Sequence, residues 1–153
     1  MQLDPRTPVL VGVGAIQQKL DDPLSAREPI ELMIAALQCA ADDAGSRELL
    51  AQADSIRVPR GFWDYSDPGR LIAQRFGARR AKTLLAEIGV LQTTLFGGAV
   101  EAIATGQAEV VLVTGGEAKY RSLRAQIGAV EIANTMQTDV EPDVVLRPAS
   151  ISA

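Results

Sequence analysis

Two hydroxyl-bearing residues lie where the chain could support chemistry. Thr93 and Thr94 follow a predicted turn that joins a strand to a helix. The free N–H groups and the dipole at the start of a helix stabilise a negatively charged nucleophile. Neither threonine has a base near it in the sequence, so both are weak catalytic candidates. The alternative interpretation is that their hydroxyls bond to the backbone of the first helical turn.

The chain has one cysteine, Cys39, and no histidine. Ser–His and Cys–His catalysis therefore cannot be completed within it. No internal disulfide can form, which fits a reducing cytoplasm, and we expect no metal site because zinc needs several Cys or His ligands. Cys39 lies on an apolar helical face, far from a helix start or a nearby cation that would activate a thiol. We therefore predict that it is a buried core residue.

Gly12 and Gly14 follow an apolar run, as in the G-x-G-x-x-G pattern of dinucleotide-binding proteins. The third glycine is replaced by Gln17, and Pro23 delays the next helix. A pyrophosphate site needs all three glycines and an immediate helix. A Rossmann-like or flavodoxin-like nucleotide site is therefore disfavoured, and we interpret the glycines as the end of a strand with a tight turn.

Glu117 follows two glycines after another apolar run. Its charge would stabilise the start of the next helix. A general-base role is the alternative, but it would also need a neighbouring substrate and a raised pKa. We favour the structural role.

The composition indicates one soluble globular domain over residues 1–153. The apolar fraction is 47% and the charged fraction is 22%, which is ordinary for such a domain. The net charge of −4 argues against nucleic acid, whose phosphates require clustered Lys and Arg. The short basic stretch at residues 75–82 is interpreted as a solvated loop rather than a phosphate or coenzyme A contact. No apolar run approaches the ~20 residues of a membrane span.

Hydrophobic periodicity predicts alternating strands and helices. Each predicted strand is almost wholly apolar, which is typical of a parallel sheet covered on both faces. The sequence therefore predicts an α/β fold of the order βαβαβαβα, and a loop-like tail from about residue 137. The predicted strands are 9–14, 54–58, 82–88 and 110–113, and the predicted helices are 29–44, 68–76 with Asp67 as N-cap, 91–104 and 117–135.

Three stretches resemble the N-terminal half of thiolases of the sterol-carrier-protein type. Residues 8–14, PVLVGVG, resemble the first strand of that family, and residues 36–45, ALQCAADDAG, resemble its first helix. The most specific match is AIATGQAEVVLV at residues 102–113, followed by GGE at 115–117. The resemblance covers most of residues 7–125.

The resemblance implies a fold and a chemistry. Thiolases join or cleave acyl groups on coenzyme A through an acyl-cysteine, so a coenzyme A thioester is the possible substrate, and no covalently bound cofactor is expected. The nucleophilic cysteine of the family falls at or next to Gly89, where this chain has none. We therefore expect an acetyl-CoA acetyltransferase of lipid metabolism by similarity, inactive alone. The alternatives are a subunit of a thiolase-like aldolase or lyase, and a non-catalytic interaction subunit.

The resemblance also implies partners. The second half of the thiolase fold and most of the substrate-binding loop domain are expected outside this chain, as a second half or subunit. In the family, two subunits meet along the third strand. We therefore expect a homodimer or larger oligomer through the corresponding residues, namely Lys82, Thr83, Leu84, Leu85, Ala86, Glu87 and Ile88.

Overall fold

The computed structural model describes residues 4–149 of the chain. Helices and strands alternate from residue 48 onward, after a long first helix. In chain order the elements are α1 (Pro29–Asp43), α2 (Glu48–Ala51), β1 (Ser55–Pro59), α3 (Pro68–Phe76), β2 (Lys82–Ala86), α4 (Gln92–Ala104), β3 (Val111–Val113), α5 (Lys119–Ile127) and β4 (Val144–Leu146).

The four strands form one parallel sheet in the order β3-β1-β2-β4. In the centre, Arg57 of β1 lies beside Leu84 of β2 on one side and Val113 of β3 on the other. Both faces of the sheet carry helices. The predicted α/β class is therefore confirmed.

The two faces are covered unequally. Alternation along β1 turns Ile56 and Val58 towards one face and Arg57 towards the other. The first face, with α1 and α3, forms the larger core, in which each fully buried large aliphatic side chain contributes about 1.5–3 kcal/mol. The second face is covered by α4 and has a small core of Leu84, Ala86 and Leu95. The larger core includes Ile30, Met33, Ile34, Leu37, Ile56, Val58, Trp63, Tyr65, Ile72 and Leu85.

Local signals in the sequence placed α1 and α3 correctly. Pro29 occupies the first turn of α1, where its missing N–H costs nothing, and Gly45 follows the helix with a φ of 72°. Asp67 caps α3 by accepting a hydrogen bond from the N–H of Arg70 at 3.0 Å. Gly77 ends α3 in the left-handed conformation, with a φ of 71°.

The prediction of a buried first strand over residues 9–14 is wrong in this structure. The segment forms no strand there, and its large side chains Val9, Leu10, Val11 and Val13 are exposed. Two contacts show that the segment lies against α1. A Cβ added at Gly12 would collide with the carbonyl of Ala40, and the N–H of Val13 donates to the Asp43 carboxylate at 2.9 Å. The order of elements therefore begins with a helix.

The tail and the last helix also differ from the prediction. Residues 144–146, expected to be loop, form β4, and α5 spans 119–127 instead of 117–135. Strand β4 pairs with β2 over residues 84–86. The predicted subunit interface along Lys82–Ile88 required a free edge on this strand. In this structure β2 lies between β1 and β4, so the expected free edge is paired over residues 84–86, and the interface itself stays a prediction.

Candidate functional site at the carboxyl edge of the sheet

The segments that follow β1, β2 and β3 converge at one edge of the sheet, as the carboxyl ends of parallel strands must. Arg60 follows β1 and Glu87 follows β2. The Nε of Arg60 lies 2.8 Å from a carboxylate oxygen of Glu87, although its N–H is not aligned with that oxygen as in a hydrogen bond. The backbone N–H of Arg60 donates to the carbonyl of Ala86 at 2.7 Å. These contacts fix the first two strand ends together.

Glu117 joins the third strand end to the first. Its Oε1 accepts the backbone N–H of Phe62 at 2.7 Å, and nearby the indole N–H of Trp63 donates to the carbonyl of Gly116 at 3.1 Å. Helix α5 has no side-chain cap. Glu117 thus fastens the loop after β1 instead of capping the helix with its side chain, which supports the structural role favoured from the sequence. Its carboxylate is engaged by the protein itself.

Gly89 lies where the sequence resemblance leads us to expect the nucleophile of thiolases, at or next to this position. Its φ of 100° belongs to a region that residues with a side chain rarely adopt. A Cβ at this position would lie 3.4 Å from both Cβ and Cγ of Pro148. The backbone therefore favours glycine here, and the tail of the chain lies directly over it.

Thr93 and Thr94 are both exposed in the first turn of α4. The helix has Leu91 at its N-cap position and no side-chain cap. Neither hydroxyl is hydrogen-bonded to the backbone within residues 4–149, so the expected first-turn bonds are absent there.

The sole thiol, that of Cys39, lies on α1 and far from Gly89 in the sequence. Cys39 is half-buried rather than fully buried as predicted. It lies beside Gly14, whose Cβ would come within 2.9 Å of its own Cβ.

Sequence reasoning missed Arg57, the charged residue in the middle of β1. It is 9% exposed, and its Nε has no hydrogen-bond partner among the described residues. Burial lowers the pKa of Arg57, while Glu101 on α4 opposes this effect. The sequence does contain a signal for this residue, because Arg57 is a charged residue between two aliphatic ones, Ile56 and Val58, in a predicted buried strand.

The cavity beside Glu117 at the carboxyl edge is small. Its volume is about 190 Å³, below the 300–1,000 Å³ that is usual for a small-molecule site. Its walls include Gln17, Glu117, Lys119 and Tyr120, but neither Gly89 nor the two threonines. Residues 4–149 contain no group of three His, Cys, Asp or Glu side chains that could hold a metal ion. The edge thus presents neither a formed pocket at Gly89 nor a nucleophile paired with a base.

Comparison with known proteins identifies the fold. No family model matches the chain, and no curated protein matches it. A solved structure does match: the monomeric SCP2-thiolase like protein type 1 from Mycobacterium smegmatis, with 29% sequence identity and a TM-score of 0.61 over 73% of this chain. The protein therefore has a thiolase-like fold, as the sequence resemblance implied. The matched part is 24% of the mycobacterial protein, so the chain spans about a quarter of that relative. In the part of the chain that the structure describes, no helix is long and apolar enough to cross a membrane.

Proposed function

We propose that the chain is the N-terminal part of a thiolase-like, acyl-CoA-associated protein of the cytoplasm, similar to acetyl-CoA acetyltransferases, and that it performs no acyl transfer alone. The observation that supports this most directly is the residue type and backbone conformation at position 89. Where the resemblance places the nucleophile, the chain has a glycine with a φ of 100°, and Pro148 packs over it. With no histidine in the chain, the Cys–His pairing of thiol nucleophiles cannot be completed within it.

The proposed partner is a second thiolase-like half. Helix α4 is apolar on nearly all sides, as is usual for a helix buried on both faces. Yet Phe96 and Val100 are each 53% exposed on the side away from the sheet. The extended segment 9–13 adds further exposed aliphatic side chains. Large apolar patches of this kind usually meet another protein surface.

Intact-mass spectrometry after incubation with acetyl-CoA tests the proposal. We expect no acetyl adduct, and no cleavage of acetoacetyl-CoA above the rate without protein. The matched control is Cys39→Ala, which removes the sole thiol. An adduct that forms on the wild type and disappears in this variant would show that Cys39 serves as a nucleophile, and the proposal would be wrong.

A non-catalytic interaction subunit is the second candidate. The contacts of Arg60, Glu87 and Glu117 support it, because these side chains bind other parts of the chain and so connect the loops at the sheet edge. Light scattering at micromolar concentration, with Phe96→Glu as the variant, separates the cases. If α4 forms a contact between copies, the wild type is larger than a monomer and the variant is monomeric. A monomeric wild type leaves the second half as the proposed partner of this face.

A further inference from the structure

Residues 143–148, here called the strap, run along the outer side of β2 and end over Gly89. Val144, Val145 and Leu146 pair with residues 84–86 of β2. Beyond the strand, the N–H of Glu87 donates to the carbonyl of Leu146 at 2.8 Å. Pro148 then reaches Gly89. The strap therefore covers both the edge of β2 and Gly89, where the resemblance places the thiolase nucleophile.

Asp143 attaches the start of the strap to the body of the protein. Its Oδ2 accepts the N–H of Thr83 at 2.8 Å and a guanidinium N–H of Arg70 at 2.7 Å. Its own N–H donates to the hydroxyl of Thr83 at 3.1 Å. One side chain thus joins the strap to β2 and α3 at once, through a charge-assisted pair and a backbone contact.

The rest of the strap has few buried attachments. Strand β4 has three residues, of which Val144 is 42% exposed. The larger core contains no strap residue, and Leu146 only borders the small core under α4. Short elements with little buried apolar surface open at a lower free energy than the core of a domain.

We propose that the strap is a cover on β2, that Asp143 is its latch, and that the strap opens as a unit while the rest of the sheet stays folded. Opening frees the edge of β2 and the space at Gly89. The functional importance of the space at Gly89 rests on the proposed function. The opening of the strap does not rest on it, because opening depends on the backbone hydrogen bonds between β2 and β4.

Backbone amides of β2 provide an internal comparison. The amides of Thr83, Leu85 and Glu87 point towards β4, and those of Leu84 and Ala86 point towards β1, because successive residues of a strand alternate in direction. Single-residue hydrogen exchange by NMR on Asp143→Ala should show at least about tenfold faster exchange at Leu85 and Glu87, corresponding to an opening that is easier by about 1.4 kcal/mol. Leu84 and Ala86 should exchange as in the wild type. Thr83 is not informative, because the substitution removes its acceptor directly.

Glu141→Ala is the matched control, since it removes an exposed carboxylate from the same tail and should leave all these amides unchanged. Equal acceleration on both sides of β2, or none on either, overturns the proposal.

Exchange of the wild type in low urea gives a second test that does not depend on the variant. Leu85 and Glu87 should exchange through a local opening with a small urea dependence, and a dependence equal to that of global unfolding overturns the idea. Acyl transfer by the chain would contradict the proposed function without altering these results.

Discussion

The guanidinium of Arg57 occupies the space that a side chain at position 98 would fill. A Cβ at Gly98 would lie 2.5 Å from Nη1 of Arg57. On the sheet, Leu84 and Val113 flank the same side chain, so a positive charge lies between a strand and a helix among apolar neighbours. The Nε of Arg57 is buried without a hydrogen-bond partner in residues 4–149, and the dehydration of a charged group costs several kcal/mol, which the charge of Glu101 offsets only in part. The glycine thus accommodates a residue that weakens the packing of α4 on the sheet.

Arg57→Met should therefore stabilise the isolated chain. The thioether fills a similar volume without the dehydration cost, so the free energy of unfolding should rise by about 1 kcal/mol or more. Urea unfolding followed by circular dichroism measures the change. Arg79→Met, at an exposed position, should stay within about 0.5 kcal/mol of the wild type. A loss of stability in Arg57→Met would indicate that the guanidinium has a stabilising partner in solution.

Asp67→Ala should be among the most destabilising substitutions in the chain. Asp67 is 1% exposed. Its Oδ1 caps α3, and its Oδ2 accepts the hydroxyl of Thr83 at 2.8 Å. Loss of a cap costs about 0.5–2 kcal/mol, and loss of a hydrogen bond to a charged group, here from the hydroxyl of Thr83, costs about 1.5–3 kcal/mol. We expect a loss of about 2–4 kcal/mol in the same urea experiment.

Two comparisons test the cause assigned to Asp67. Asp67→Asn retains an acceptor for the N–H of Arg70, so it should recover part of the loss. Asp64→Ala removes an exposed carboxylate in the same loop and should change little. If Asp67→Ala and Asp64→Ala were equally mild, the cap and the Thr83 bond would contribute nothing measurable.

The Asp143 latch should weaken in acid. The N–H of Thr83, and after it the guanidinium of Arg70, hold the pKa of Asp143 below its ordinary value of 3.8, against the opposing effect of burial. Arg70 and Asp67, which lies across the Thr83 hydroxyl, are the charged groups that face it. Because the native pKa is the lower one, this stabilisation is complete above pH 3.8 and is lost as the pH falls through the native value.

The measurement is the difference in unfolding free energy between the wild type and Asp143→Asn as a function of pH. We expect a constant difference near neutral pH that shrinks below about pH 4, because both proteins then carry a neutral group at this position. Glu141→Gln should show no such convergence. A difference that stays constant into strong acid would mean that the charge of Asp143 is not what holds the strap.

Helices α1 and α3 could be predicted because their signals are local. Asp67 before Pro68 and Gly77 after the last turn define α3 in the sequence itself. Strand β4 could not be predicted, since three residues give no periodicity and their pairing depends on the distant contact between Asp143 and Thr83. The segment 9–14 has the composition of a strand, but pairing depends on which neighbour is available, and here it packs on α1. At the site, the nucleophile position at or next to Gly89 stays a prediction, and the cover of Gly89 by Pro148 could not be predicted because it depends on where the tail packs.

The contact between the N-terminal segment and α1 gives a final prediction, with Cys39 as its reporter. A Cβ at Gly14 would collide with the carbonyl of Ala36 and lie 2.9 Å from Cβ of Cys39. Because the obstacle includes helix backbone, which cannot move aside cheaply, Gly14→Ala should displace the segment. The half-buried thiol should then react faster with a thiol reagent in the native protein, while the urea midpoint changes little, since the segment lies outside the core. Ala15→Gly, at an exposed neighbouring position, is the control and should label at the wild-type rate. An unchanged rate in Gly14→Ala would show that the segment does not shield Cys39 in solution.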